Sequence, residues 1–363
     1  MSRIAWLDTG RGLAIILLIF AHYIGALESR GIISEEVLNW LKAFFRIATP
    51  YFILIFGFTF FIAYSRKVDG LSSMPSLYKK LKVRIFKIFI AREMIVLILA
   101  FRFPEMMDQL FTIMIYQQFS KGGEILTFYL MAVALAPLTI LWMKRVNTST
   151  ALVSILGLYI CSYLIGISFS ANYTHNLFRV LFYNVYPFFP FFALALIGML
   201  IAKDFRSLSN LTVVKVYGSL SVFLIVGSII GFNLIDDQPL IKLALAKYKA
   251  PPHPLYMSLY LGLSIAVTML VAVLSQFKGW IAKVKSVVDT IGRNSLASYV
   301  LHYALYFSVP LAALAPNHNK LVEVFAFIFL MILFYLLIVI RDEQKRNGHS
   351  IWQFKFLIPI ANR

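Results

Sequence analysis

Runs of about 20 apolar residues recur along this chain, and no other property limits its fold so tightly. A run of that length, wound as an α-helix, matches the roughly 30 Å hydrocarbon core of a bilayer. Ten such runs lie near 11–28, 43–65, 84–103, 124–143, 150–169, 180–202, 212–235, 255–276, 287–313 and 321–341. Sixty per cent of the 363 residues are hydrophobic and 14% are charged, against about half and about a quarter in a soluble domain. The pattern predicts an all-α, polytopic membrane bundle of about ten transmembrane helices. With no periodic repeat and no low-complexity linker, residues 1–363 read as one domain.

The formal net charge is +18, which in a soluble protein would suggest nucleic acid. Here the placement of the charge explains it without such a partner. Arg66, Lys67, Lys79, Lys80, Lys82, Arg84 and Lys87 follow the second run, and Lys144, Arg145, Lys203, Arg206, Lys278, Lys283 and Lys285 follow later even-numbered runs. Those gaps are expected to be cytoplasmic, and ten spans then place both termini there too. The gaps near 29–42, 104–123, 170–179, 236–254 and 314–320 face outward and are short, so the chemistry belongs inside the bundle or at its mouths. The run Leu13–Ala21 resembles a secretory signal, but nine further spans follow and cleavage is not expected. Cys161 is the one cysteine, so the chain offers no disulfide; it reads as lipid-facing or as core filler.

Arg11 and His22 lie on the first run with ten uncharged residues between them. Eleven steps of about 100° make roughly three turns, so both side chains project from one face about 16 Å apart. An ionisable group inside an apolar span is a functional-site hypothesis by default; the plainer reading is a histidine that bonds a neighbouring helix and fixes packing. Asp8 stands one turn from Arg11 and can pair with it. A cation at the cytoplasmic edge to hold an anionic donor, with a titratable imidazole deeper in as general base, would make a relay.

Other candidates are less sharply defined. Lys80, Arg84 and Lys87 fall on one arc of the third helix, either as anchors beside anionic lipid or, for Arg84 and Lys87, as a phosphate site. Arg92 and Glu93 lie deeper as a buried pair, a kind that is often only structural. Glu124 opens the fourth span, where it could orient an imidazole or bind a sugar hydroxyl, or be an acid favoured by the helix dipole. His302, in the middle of the ninth run, is a second intramembrane histidine. His175, His253, His318 and His349 read as solvated surface residues. Gly10-Arg11-Gly12 is too short to cradle a phosphate, and nucleotide-binding loops, nucleophile elbows and His-Glu-x-x-His are absent.

The opening Leu7-Asp8-Thr9-Gly10-Arg11-Gly12-Leu13-Ala14, followed by His22, resembles the start of the integral-membrane acyltransferase family 3, which has ten spans and an Arg-x10-His pattern on the first. Arg84-x-x-Lys87 is similar to that family's Arg-x-x-Arg pattern, with Lys in the second place. Thr49-Pro50-Tyr51-Phe52, Phe61–Arg66 and Glu124–Leu130 look like the periplasmic glucan succinyl-transfer proteins. Lys249–Tyr256 and Gly292-Arg293-Asn294-Ser295-Leu296 resemble the heparan-glucosaminide N-acetyltransferase relatives.

The resemblance implies a multi-pass enzyme of the cell inner membrane that moves an acyl group from cytoplasmic acyl-CoA, acetyl-CoA foremost, to a hydroxyl of a cell-surface or lipid-linked glycan, with no metal. Arg11, Arg84 and Lys87 would hold donor phosphates. His22 would be the base or a transient acyl carrier, with Glu124 on the acceptor side and His302 in reserve. The competing readings are a transporter or flippase for a lipid-linked or anionic glycan and a sugar-amine N-acetyltransferase.

Overall fold

A computed structural model describes residues 5–28, 34–117, 122–169, 176–183, 185–207, 210–308 and 320–347. The expectations for His175, His318 and His349 lie outside the described residues.

The apolar runs wind into helices, in order α1 (Ala5–Glu28), α2 (Glu35–Phe45), α3 (Ala48–Tyr64), α4 (Met74–Arg102), α5 (Pro104–Met107), α6 (Leu110–Met114), α7 (Glu124–Arg145), α8 (Thr148–Phe169), α9 (Asn176–Phe178), α10 (Phe188–Ser207), α11 (Asn210–Ile235), α12 (Pro239–Ala244), α13 (Pro254–Leu274), α14 (Trp280–Arg293), α15 (Ser295–Ser308) and α16 (Lys320–Arg346). Among the described residues there is no β-strand, only an isolated bridge between Lys249 and Pro252. The bundle is helical and polytopic, as the runs predict. Among the described residues, eight stretches are long and apolar enough to cross a membrane, with α2 and α3 counted as one.

The two runs of the expected ten that do not qualify are instructive. The third is the basic α4, which starts at Met74, ten residues before the apolar run. The ninth is not one helix. It breaks at Asn294, whose Nδ2 donates to Thr290 O (3.1 Å) and to Asp342 Oδ1 (2.8 Å), while Ser298 Oγ donates to Ile291 O at 3.2 Å. Side chains that satisfy helix-end carbonyls and reach a third helix make the break stable. The helix of the sixth run, α10, also begins later than expected, at Phe188 just after Pro187, because the residue preceding a proline is pushed out of the helical region. Gly10-Arg11-Gly12 lies within α1.

Two helix pairs are in backbone contact. A Cβ on Gly57 of α3 would sit 1.9 Å from Ala195 O of α10, and one on Gly198 would sit 2.1 Å from Leu54 O. Likewise a Cβ on Gly12 of α1 would sit 2.0 Å from Val288 O, and one on Gly292 of α14 would sit 1.8 Å from Asp8 O. Small residues permit such approaches where the bilayer gives helices no hydrophobic drive to associate. Around α3 the core is dense, with Tyr51, Ile53, Leu54 and Phe58 fully buried. Val153, Leu156, Phe223, Ile230, Phe325 and Phe329 of α8, α11 and α16 are exposed, as is Cys161, consistent with its lipid-facing reading.

The basic gaps converge on one end. Lys144 Nζ donates to Val68 O, Lys203 Nζ donates to Val146 O at 2.6 Å, and Trp6 packs on Phe58 and Phe205 with centroids 5.0 and 5.6 Å away. At the other end Arg46 donates to Ala244 O, Tyr159 Oη to Pro252 O (2.8 Å) and Arg92 to Ile113 O (2.9 Å).

Candidate functional site

α1 links the two ends. At its basic end Arg11 pairs with Asp8, and Thr9 Oγ1 donates to Asp289, which Lys285 holds at 2.7 Å. One turn further along α14, Arg293 and Asn294 reach Asp342 of α16 at 2.9 and 2.8 Å, and Arg346 adds 2.8 Å. The Gly12 and Gly292 contacts make this assembly possible, because they bring α14 against the first turns of α1. The result is a basic mouth of Arg11, Lys285, Arg293 and Arg346 interleaved with Asp8, Asp289 and Asp342.

Three turns along α1, the His22 ring stacks on His302 with centroids 5.5 Å apart and planes 28° from parallel. Tyr303 meets His22 edge-on at 5.4 Å, and Tyr306 lies at 5.7 Å, its Oη donating to His22 O at 2.7 Å. His302 is 3% exposed, whereas His22 is only partly buried. Neither His302 ring nitrogen has a side-chain hydrogen-bond partner among the described residues. The break at Asn294 sets α15 in line with the deep part of α1. Its face of Tyr299, His302, Tyr303 and Tyr306 is spaced i, i+3, i+4, i+7.

Glu124 joins this group through the start of α7. Gly122 N donates to Glu124 Oε2 at 2.7 Å. Gly122 adopts φ +99°, and a Cβ there would lie 2.9 Å from Tyr303 Cε1, so both backbone and packing require glycine. That seats Glu124 beside Tyr303. Lys249, 8% exposed, holds its ammonium 3.6 Å from the Tyr186 ring centroid. Tyr186 Oη in turn shares a hydrogen bond with Thr49 at 3.1 Å.

The structure thus brings His22, His302 and Glu124 together and places Arg11 at the far end of the same helix. Arg84 lies elsewhere, on α4, with its guanidinium 5.2 Å from the Phe60 ring centroid, and Lys87 is exposed on that helix beside Lys79, Lys80 and Lys82. Arg92 and Glu93 form a buried staple: one guanidinium nitrogen contacts both carboxylate oxygens at 2.8 and 3.0 Å, the other bonds Ile113 O, and Tyr116 covers the group at 4.2 Å. His253 differs from the solvated surface residue expected. Its Nδ1 accepts from Leu255 N (3.3 Å) and caps α13, it packs on Tyr248 and Tyr163, and burial lowers its pKa from the ordinary imidazole value. Among the described residues no three His, Cys, Asp or Glu cluster as metal ligands.

Reasoning from sequence missed Tyr186, Tyr299, Tyr303 and Tyr306 as site residues and carried Lys249 only within a resemblance. The spacing around His302 was the available signal for the α15 tyrosines. No local pattern marks Lys249 or Tyr186.

A family model described as heparan-alpha-glucosaminide N-acetyltransferase, catalytic, matches residues 3–228, more than half of the chain. The chain belongs to this family. The match falls on the acetyltransferase relatives rather than on acyltransferase family 3, where the Arg11/His22 pattern had pointed first. It covers Arg11, His22, Arg84, Lys87 and Glu124, while Lys249–Tyr256 and Gly292–Leu296, the stretches that suggested these relatives, lie beyond it. Neither curated proteins nor solved structures gave a match.

Proposed function

We propose that this protein is a membrane-embedded acetyltransferase that moves an acetyl group from acetyl-CoA, bound at the basic mouth, to the amine of a glucosamine-type sugar at the opposite mouth. The observation that carries the reading is the meeting of His302 and Glu124, from α15 and α7, with His22 on the helix whose other end presents Arg11. Roughly 16 Å of α1 separates the two, a span suited to a donor whose phosphates and thioester lie at opposite ends of an extended arm. We place the basic mouth in the cytoplasm, where acyl-CoA is made.

The acceptor amine is an ammonium in water and docks against Glu124, losing one proton to solvent at the mouth. Its nitrogen attacks the thioester carbonyl, forming the C–N bond. His22 takes the second nitrogen proton as the intermediate collapses, the C–S bond breaks, and that proton passes to sulfur, so CoA leaves as the thiol. His302 backs the His22 ring and Tyr306 fixes its backbone. Transfer through an acetyl-His22 intermediate uses the same residues in two steps. The family description and Glu124 favour an amine over the hydroxyl first expected, and they favour bond-making over transport.

The test is purified protein in lipid nanodiscs with acetyl-labelled acetyl-CoA and a methyl glucosaminide. The expected product is labelled, stable to mild alkali and accompanied by CoA thiol. Label released by mild alkali would make the acceptor a hydroxyl, and the absence of both product and thiol would sink the transfer reading.

A further inference from the structure

α14 starts and ends on the same side of the molecule. α13 leaves the opposite mouth at Pro254, beside the contact of Tyr159 with Pro252, and its 21 residues bring Leu274 to the basic end, about 31 Å away. α15 departs from that end too, since Arg293 and Asn294 just before it are held by Asp342. The 14 residues of α14 are too few to cross a bilayer. The helix therefore runs along the membrane surface at the basic end. Its entry is a turn at Gly279, whose φ of +76° is a conformation that glycine adopts readily.

The two halves of α14 differ in what covers them. In the second half Thr290, Ile291 and Gly292 are buried, and Thr9 of α1 bonds Asp289. The first half is bare. Trp280 is 73% exposed, and Val284 and Val287, about one and two turns on, share its face and are exposed with it, as is Phe277 just before the helix. Lys278 and Lys283 are exposed beside them, and Lys283 stands about 40° around the helix from Val287. An apolar face led by tryptophan and bordered by lysines, on a helix that lies in the plane of a membrane surface, is suited to the boundary between head groups and acyl chains. The lysines choose the head group. A zwitterionic lipid balances its own phosphate, whereas an anionic lipid brings a net charge for them to pair with.

We infer that the first half of α14 is an anionic-lipid site. Trp280, Val284 and Val287 enter the acyl boundary, and Lys278 and Lys283 bind the negatively charged head group of a lipid in the leaflet at the basic end. The same helix carries Asp289, Arg293 and Asn294, so the bound lipid steadies one wall of the basic mouth. The inference is independent of the acetyl-transfer reading, because neither lysine is assigned to donor or acceptor.

The test uses the full chain in nanodiscs, with Val284→Cys in a Cys161→Ser background carrying a nitrobenzoxadiazole label whose emission reports polarity. Quenching is compared for phosphatidylglycerol and phosphatidylcholine that bear the same doxyl-labelled acyl chain, each at one fraction in phosphatidylcholine discs. The emission should be that of an apolar site, with phosphatidylglycerol preferred about fivefold or more. In Lys278→Gln/Lys283→Gln, and in high salt, the preference should fall toward one while both lipids still quench. Equal quenching by the two lipids in the parent protein overturns the inference, as does a preference that survives the double substitution. Apolar emission that neither lipid quenches would put a second copy of the chain or another protein on this face, and polar emission would leave the helix in water. Either result overturns the inference as well.

Discussion

At the scale of single residues, His22 and Arg92 show how differently two ionisable groups inside the bundle behave. His22 is contacted by rings, and Tyr306 donates to its backbone carbonyl, a bond that truncating the side chain leaves in place. His22→Ala should fold with a melting point near wild type and lose acetyl transfer by about 10²- to 10⁴-fold, the usual range for a lost general base. Near-normal transfer by the folded variant would remove His22 from the chemistry. Arg92 is 2% exposed and bonded to Glu93 and Ile113 O. Arg92→Ala strands a buried carboxylate and should cost about 3–5 kcal/mol in unfolding experiments, while Arg92→Met with Glu93→Leu should lie much nearer wild type. Arg84 lies on α4 away from the basic mouth, so Arg84→Ala should weaken acetyl-CoA binding no more than Lys79→Ala, and a loss confined to Arg84→Ala would bring that residue into the donor site.

At the scale of helices, glycines determine which pairs pack closely. Gly57→Ala or Gly198→Ala puts a methyl where a carbonyl already sits, so α3 and α10 must part, at a cost of about 1–3 kcal/mol or more. Gly218 and Gly227 of α11 would meet nothing, and their alanine variants should be neutral or more stable by up to about 1 kcal/mol. Thermal unfolding in detergent distinguishes the two groups. The segment from α11 to α13 carries a pH signature of its own. Hydrogen bonds from Lys242 and then Tyr248 lower the Asp236 pKa from 3.8 to about 2. A depressed carboxylate stabilises the fold above its unfolded value and ceases to as pH falls from 3.8 through about 2. Asp236→Asn should therefore lower the melting temperature at pH 7, and the gap to wild type should close as pH drops through that window.

At the scale of the whole molecule, the structure gathers the basic gaps at one end, and from the charge asymmetry we propose that this end is cytoplasmic. In a Cys161→Ser background, Asp69→Cys should react with an impermeant thiol reagent only after permeabilisation, and Lys247→Cys should react in intact cells. The reverse pattern would invert the topology and place the donor mouth outside.

The helical membrane bundle and the grouping of its basic gaps were legible in the sequence, because a 20-residue apolar run and a cluster of lysines are local properties that the bilayer reads directly. The shared face of Arg11 and His22 was legible too, since one helix fixes it. Tertiary structure alone decided the rest. The ninth run breaks at Asn294 because Asp342, nearly 50 residues further on, accepts its amide. His302 becomes the neighbour of His22 because that break and the Gly12 and Gly292 contacts turn α15 toward α1. Lys249 is buried on a segment with no motif of its own, since Tyr159, distant in sequence, holds Pro252 and Tyr186 covers the ammonium. Periodicity reports which way a side chain faces on its own helix; what it faces depends on how the helices pack.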